Sequence, residues 1–161
     1  MKTITKRVEY RRKRKGKTNY KKRLSLLLSK KPRLVIRKTL TNTILQIVNY
    51  NENGDKTIIS AKSSELKDMG WKMNTGNIPA AYLTGMLLAK KAKQKKIKEV
   101  IVDLGLATST KGSKIFAVLK GAVDNGLKIA HSISMFPSDD QVNGEIIKKA
   151  IASVKTKNQF S

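Results

Sequence analysis

Residues 33–61 read RLVIRKTLTNTILQIVNYNENGDKTIISA, and this stretch determines the predicted fold. Residues 33–39 and 43–50 are rich in β-branched and apolar side chains, and Pro32 ends any helix before the first run. Asn53-Gly54 separates the second run from residues 56–61, and this dipeptide is a strong hairpin signal because both turn positions favour positive φ. The stretch therefore predicts a three-stranded antiparallel meander.

The residues that follow the meander alternate between helix and strand patterns. Asn77 and Pro79 predict the start of a helix that ends near residue 94 in a lysine-rich turn. Residues 99–104 form a continuous apolar run, which is typical of a strand buried on both faces. Ser113 is the expected cap of a second helix, and residues 138–141 (SDDQ) resemble a capping box opening a weaker terminal helix. The prediction is an α/β fold with a mixed sheet, formed by the meander plus a following strand, and flanking helices.

The N-terminal quarter of the chain is strongly cationic. Residues 1–38 hold 17 basic residues and one acid, Glu9, a net charge of +16 out of +24 for the whole chain. All seven arginines lie between positions 7 and 37, with Tyr10 and Tyr20 among them. Guanidinium groups bind phosphate in a forked geometry and stack on bases, whereas lysine acts as a mobile point charge. We predict a basic RNA-binding N-terminal arm that is disordered or loosely helical until an anion neutralises it; a solvated or targeting tail is the alternative.

Length and composition divide the chain and exclude several classes of protein. We predict an arm over residues 1–30, an α/β globular domain over 31–130 and a C-terminal helical segment over 131–161. The absence of cysteine excludes disulfide frameworks, thiol catalysis and Cys-ligated metal sites. The longest apolar stretch, residues 78–89, is shorter than the roughly 20 residues a membrane span needs, and no apolar leader follows the first lysines. We expect a soluble, cytoplasmic protein that does not bind membranes.

The sequence contains no convincing catalytic or metal-binding motif. Residues 105–113 (GLATSTKGS) lie between a strand and a helix, but the order and spacing of glycine and lysine are wrong for a P-loop. This loop either binds a backbone phosphate or is a solvent loop. His131 is the single histidine, Asp103 reads as a structural acid at a strand end, and Trp71 as a packing residue. We predict no enzyme, no metal, no cofactor and no small-molecule substrate.

Several ordered motifs resemble one known family. Residues 10–24 (YRRKRKGKTNYKKRL), 31–38 (KPRLVIRK), 70–71 (GW) and 75–85 (TGNIPAAYLTG) closely resemble the archaeal and eukaryotic form of the large-subunit ribosomal protein L-eighteen family. Residues 103–106 (DLGL), 120–127 (KGAVDNGL) and 136–138 (FPS) also match. The resemblance covers roughly residues 6–150. The loop at 108–114 departs from the common family pattern.

The resemblance implies a structural protein of the large ribosomal subunit. Such a protein binds 5S rRNA and helps anchor it to the large rRNA in the central protuberance, beside neighbouring ribosomal proteins. The family fold is a ribonuclease-H-like sandwich without a nuclease site. Carried over position by position, the RNA contacts are expected in the basic arm, the first strand, the turn after it and, more weakly, the 108–114 loop: Arg7, Tyr10, Arg11, Arg12, Lys13, Arg14, Lys17, Tyr20, Lys21, Lys22, Arg23, Arg33, Arg37, Lys38, Asn42, Thr108, Thr110, Lys111 and Lys114.

Two other functions are compatible with the same charge and scaffold. A general nucleic-acid chaperone or DNA-compacting protein would show no preference for 5S rRNA. An RNA-processing enzyme on a ribonuclease-H-like scaffold would cleave RNA with magnesium and would depend on Asp103. The family motifs argue against the first alternative, and the scattered acids argue against the second.

Overall fold

The computed structural model describes residues 8–143. Its elements follow one another along the chain as α1 (Arg11–Arg14), α2 (Tyr20–Leu28), β1 (Arg33–Lys38), β2 (Thr43–Asn49), β3 (Lys56–Lys62), α3 (Glu65–Asp68), α4 (Ile78–Gln94), β4 (Glu99–Asp103), α5 (Lys114–Asp124), β5 (Lys128–Ile129), a short 3₁₀ turn (Ile133–Met135) and α6 (Asp139–Asn143). The predicted terminal helix therefore begins at the expected place. The rest of the predicted C-terminal segment lies outside the described residues.

The strands form one mixed sheet in the order β3-β2-β1-β4-β5. The pairs β1–β2 and β2–β3 are antiparallel, whereas β4 lies parallel to both β1 and β5. The predicted meander and the mixed sheet are thus confirmed. The sequence analysis missed β5, a two-residue strand that is too short to produce an alternating pattern.

One face of the sheet carries the hydrophobic core. Alternate residues of the meander, including Leu34, Ile36 and Leu45, are fully buried on this face. Helix α4 packs over β2 and β3, and α5 packs over β1 and β5. The prediction that the fourth strand is buried on both faces is wrong, since Ile101 and Val102 stay half-buried. The physical reason is that α4 and α5 pack mainly over β1, β2, β3 and β5, so the faces of β4 are less completely covered.

Helices α4 and α5 cross at unusually short range through two glycines. A Cβ atom on Gly85 would lie 2.2 Å from the Val118 carbonyl oxygen, and one on Gly121 would lie 2.1 Å from the Tyr82 carbonyl oxygen. Only glycine permits this approach. The two helices therefore form one packed layer that supports the sheet from below.

The local signals read from the sequence around this layer are largely confirmed. The Asn77 side chain caps α4 by accepting a hydrogen bond from the Ala80 N–H at 2.9 Å. Trp71 is buried in the core, and its indole N–H donates to the Asn74 carbonyl at 3.2 Å. Ser113 occupies the N-cap position of α5, but its hydroxyl makes no hydrogen bond to the helix. The packing interpretation of Trp71 thus holds.

Candidate nucleic-acid interface

Residues 10–28 fold into two short helices that we call the basic helix pair. Helix α1 ends in a Schellman motif: the Lys17 N–H donates to the Arg12 carbonyl and the Gly16 N–H to the Lys13 carbonyl, both at 2.9 Å. Gly16 has φ +61°, the left-handed conformation this motif requires. Asn19 then caps α2 by accepting from the Lys22 N–H at 3.0 Å. The segment predicted to be disordered or loosely helical therefore holds two short capped helices joined by a turn.

Helix α1 and the first part of α2 present a dense set of exposed cations. The four residues of α1 are all basic and exposed, and the only acid beside them, Glu9, pairs with Lys13. Further exposed cations follow in the turn and the first part of α2: Lys15, Lys17, Lys21 and Lys22. Like charges at this density repel one another, so a polyanion is the natural partner of this surface.

An arginine–aspartate network joins the basic helix pair to the sheet. Arg23 of α2 donates two hydrogen bonds to the carboxylate of Asp55, at 2.8 and 3.0 Å. Arg33 Nη2 approaches the same carboxylate at 2.8 Å, and Arg33 Nη1 donates to Asp103 at 3.1 Å. Arg37 completes the series with a 3.7 Å contact to Asp103. Positive and negative groups alternate through five residues, which fixes α2 across the second face of the sheet.

Arg33 is buried within this network and does not face solvent. Its side chain is only 2% exposed, and it lies between two carboxylates. The Nη2 contact with Asp55 is a close ion pair without hydrogen-bond geometry, and Nε has no hydrogen-bond partner among the described residues. The predicted contact between Arg33 and RNA stays a prediction, but the structure shows its guanidinium engaged inside the fold. The cost of removing a charge from water is offset here by the two aspartates, so Arg33 serves the fold.

The two aspartates of the network are each held by neighbouring donors and charges. Burial disfavours the charged form of Asp55, but the hydrogen bonds from Arg23 and the positive charges of Arg23 and Arg33 outweigh it, so the pKa of Asp55 is lower than usual. Asp103 also accepts from the Gly105 N–H at 2.8 Å. Asp103 is therefore the strand-end acid that the sequence predicted.

Arg37 and Lys38 lie where β1 ends, next to the basic helix pair. The Arg37 side chain is 47% exposed, although its guanidinium also donates to the Asp103 carbonyl at 3.0 Å. Lys38 is exposed. Because β1 and β4 are parallel, the ends of both strands meet at one edge of the sheet. There Lys22 reaches the Gly105 carbonyl at 3.4 Å, so cations from the sheet and from α2 share one surface.

Asn42 takes part in the turn between β1 and β2 rather than facing outward. Its side-chain oxygen accepts from the Thr75 hydroxyl at 3.0 Å and the Ser63 hydroxyl at 3.3 Å, while its amide nitrogen donates to the Thr41 hydroxyl at 3.1 Å. The residue is half-buried. Asn42 therefore stabilises this turn, and its predicted contact with RNA stays a prediction.

The predicted 108–114 loop lies apart from the basic helix pair. Thr108, Thr110 and Lys111 are exposed, whereas Lys114 is half-buried at the start of α5. The loop is fixed by the Gly112 N–H, which donates to the Met135 carbonyl at 3.1 Å. The cavities bordered by the basic helix pair extend along the β4–α5 connection only as far as Leu106. These loop residues form a separate patch, and Arg7 lies outside the described residues.

Sequence reasoning missed two residues of this surface. Asp55 was counted among scattered acids, yet it joins Arg23 to Arg33. No local pattern identifies such a contact, because the partners are 32 and 22 positions away. Leu106 is the second, an apolar side chain that remains 58% exposed directly after Gly105. An apolar residue in a polar loop was the available signal.

His131 is exposed; its Nδ1 lies 2.7 Å from the Ile129 carbonyl oxygen, and its ring stacks on Phe136. Between residues 8 and 143 no group of three or more acids or histidines is placed to hold a metal ion. Within the same range no helix has the length and apolar character needed to cross a bilayer.

Comparison with known proteins shows the family to which this chain belongs. The model of a family described as ribosomal large subunit proteins 60S L5 and 50S L18 matches residues 5–99 and 90–132. The chain belongs to this family of large-subunit ribosomal proteins, and the resemblance read from the sequence is confirmed. Among its relatives, the large ribosomal subunit protein uL18 of Methanococcus maripaludis is 49% identical over 160 residues, covering 96% of this chain and 83% of the relative.

Proposed function

We propose that this chain binds 5S rRNA and helps anchor it to the large rRNA in the central protuberance of the cytoplasmic ribosome. One observation supports this proposal above the others. The basic helix pair presents a dense cationic surface, and the arginine–aspartate network ties α2 of that pair to the sheet through Arg23 and Asp55. A positioned surface of this kind suits an RNA of defined shape better than an unstructured polyanion.

The chemistry of the surface favours RNA backbone contacts combined with specific geometry. Arginine dominates α1, and its planar guanidinium grips phosphate or stacks on bases in unpaired regions. If about 8 phosphates are neutralised, the logarithm of affinity falls with the logarithm of salt concentration at a slope of roughly −6 to −7. Large-subunit rRNA and neighbouring ribosomal proteins are the further partners we propose.

We infer further that the fold is a ribonuclease-H-like sandwich that binds without catalysis. The sheet order β3-β2-β1-β4-β5 supports the first part, with an antiparallel meander followed by two parallel strands. The contacts of the Asp103 carboxylate support the second part, binding without catalysis. Its carboxylate is engaged by Arg33 and by the Gly105 N–H, so it is a poor candidate for a metal-binding nuclease acid.

The decisive experiment is competition binding with the full chain. Labelled 5S rRNA is titrated at about 150 mM salt, close to physiological ionic strength, against excess tRNA and excess duplex DNA. We expect 5S rRNA binding to persist under both competitors. Equal displacement by all three would overturn the proposal and favour a general nucleic-acid chaperone. Magnesium-dependent cleavage that Asp103→Asn abolishes would instead identify an RNA-processing enzyme.

A charge-matched pair of variants tests whether the basic helix pair supplies the contacts. The triple variant Arg11→Gln, Arg12→Gln, Arg14→Gln removes three charges from α1. The control, Lys95→Gln, Lys96→Gln, Lys98→Gln, removes three exposed charges after α4. We expect the first to flatten the salt slope by roughly 2–3 and the control to leave it nearly unchanged. Deletion of residues 1–23 should remove most of the slope; an unchanged slope in either α1 variant contradicts this assignment.

A further inference from the structure

An open groove lies between the basic helix pair and the body of the protein. It measures about 450 Å³ and is bordered by Tyr10, Lys13, Tyr20, Lys21 and Leu106, together with the turn around Gly16. This volume lies within the roughly 300–1,000 Å³ that small-molecule sites occupy. The floor comes from the rings and from Leu106, and lysines stand on the rim.

The apolar surface of the groove is unusual for its position. Tyr10 is 74% exposed within the most highly charged part of the chain, and Leu106, which borders the same groove, is 58% exposed. The Tyr10 and Tyr20 ring centroids are 5.3 Å apart with a 49° tilt, so the two rings already pack on each other. A flat ligand would therefore stack on the open face of Tyr10 and rest against Leu106, not enter between the rings.

A second, strongly cationic cleft adjoins the groove. It measures about 160 Å³, and cations from α1, α2 and β1 line it, including Arg12, Lys22 and Arg37. The two cavities share Thr18, Asn19 and Leu106 as a common wall. Among the described residues, Asp103 is the single acid that lines the cleft, and it is already paired with Arg33 and Arg37, so its charge is largely compensated.

We propose that groove and cleft together hold one unpaired nucleotide of the bound RNA. The base stacks on Tyr10 against Leu106, and the adjoining phosphate lies in the cleft between Arg12 and Arg37. An aromatic platform beside a phosphate-binding channel is the arrangement by which proteins hold single-stranded RNA. This inference rests on the proposed function in needing an RNA partner, but it assigns a particular site and the form of nucleotide it takes.

The position of Leu106 means that the bound nucleotide would contact two separate parts of the protein. It belongs to the connection that leaves β4 toward α5, whereas Tyr10 precedes α1. A base seated on both residues bridges the basic helix pair and the body of the protein, beside the Lys22 contact with Gly105. The nucleotide thereby strengthens a junction that otherwise depends on the arginine–aspartate network.

The test uses the full chain, 5S rRNA and matched exposed positions. Tyr10→Leu removes the aromatic face, and Tyr50→Leu removes another exposed tyrosine at 57% exposure as its control. Leu106→Asn is compared with Ile133→Asn, which alters a residue 79% exposed at a distance from the groove. Because all four side chains are exposed, each variant should keep the fold, which circular dichroism verifies.

We expect Tyr10→Leu and Leu106→Asn each to weaken RNA binding about 5- to 150-fold, the range for loss of one stacked base, with an unchanged salt slope. Arg12→Gln should instead flatten the slope by roughly 0.7–0.9. Chemical probing should show one base protected by the natural chain and reactive with Tyr10→Leu. Tyr50→Leu and Ile133→Asn should bind as the natural chain does.

The outcomes separate this site from the proposed function. If the natural chain prefers 5S rRNA but Tyr10→Leu and Leu106→Asn bind equally well, the nucleotide site is overturned and the function stands. If all RNAs compete equally while the Tyr10-dependent protection of one base persists, the function is overturned and the site stands.

Discussion

Removal of the Asp55 carboxylate is the sharpest test of how the basic helix pair is held. Asp55→Asn keeps the shape of the side chain but leaves Arg33, 2% exposed, with one carboxylate in place of two. Loss of one partner of a buried ion pair costs roughly 3–5 kcal/mol. Because Asp55 is itself 27% exposed and Asp103 remains, we expect the free energy of unfolding to fall by about 2–3 kcal/mol near pH 7.

The effect of Asp55→Asn on the free energy of unfolding should also depend on pH. The pKa of Asp55 in the folded chain is below its usual value. The contribution of the Asp55 carboxylate to the free energy of unfolding is therefore complete above the unfolded-state pKa of about 3.9, and it is lost as the pH falls through the folded-state pKa. The difference in unfolding free energy between the natural chain and Asp55→Asn should therefore shrink from near pH 7 to near pH 3. Urea denaturation followed by circular dichroism measures both values.

A control variant in the same hairpin separates the effect of the arginine–aspartate network from the effect of a change in net charge. Glu52→Gln removes one negative charge at an exposed position three residues earlier and should change the unfolding free energy by less than about 0.5 kcal/mol. If Asp55→Asn cost no more than Glu52→Gln near pH 7, or if its cost were equal at both pH values, the reasoning about Arg33 would be refuted.

Two further predictions concern the helix layer formed by α4 and α5. Gly121→Ala should lower the free energy of unfolding by about 1–3 kcal/mol, because its Cβ would lie 2.1 Å from the Tyr82 carbonyl oxygen. A higher midpoint of thermal denaturation, as expected for alanine at an exposed helical glycine, would contradict this. Burial, together with the hydrogen bond to Asp124, raises the pKa of Tyr82 to about 12. The stability that the neutral Tyr82 hydroxyl contributes to the folded chain is therefore present below about pH 10 and is lost as the pH rises toward 12. Ultraviolet titration should show one late-ionising tyrosine that is absent in Tyr82→Phe; four matching titrations near the usual pKa would contradict the assignment.

The sequence predicted most of the site's composition but not its arrangement. Arginine in the first 37 residues, with tyrosines among them, was visible in the chain and pointed to RNA. The helical form of residues 10–28 was less evident, because repulsion between like charges suggested disorder. Gly16 and Asn19, which end one helix and cap the next, were local signals that the charge pattern obscured.

Local order along the chain was determined by the sequence itself. The meander, the Asn77 cap and the start of the last helix depend on hydrogen bonds and φ preferences among near neighbours, so residues 33–61 and 77–94 predicted them directly. Only the tertiary structure decided which charged residues of the first strand reach the surface. Arg33 and Arg37 differ by two positions in one strand, yet Arg33 is buried between Asp55 and Asp103 while Arg37 stays half-exposed. Partners distant in sequence set that difference, because the energy of a charge depends on what surrounds it in space.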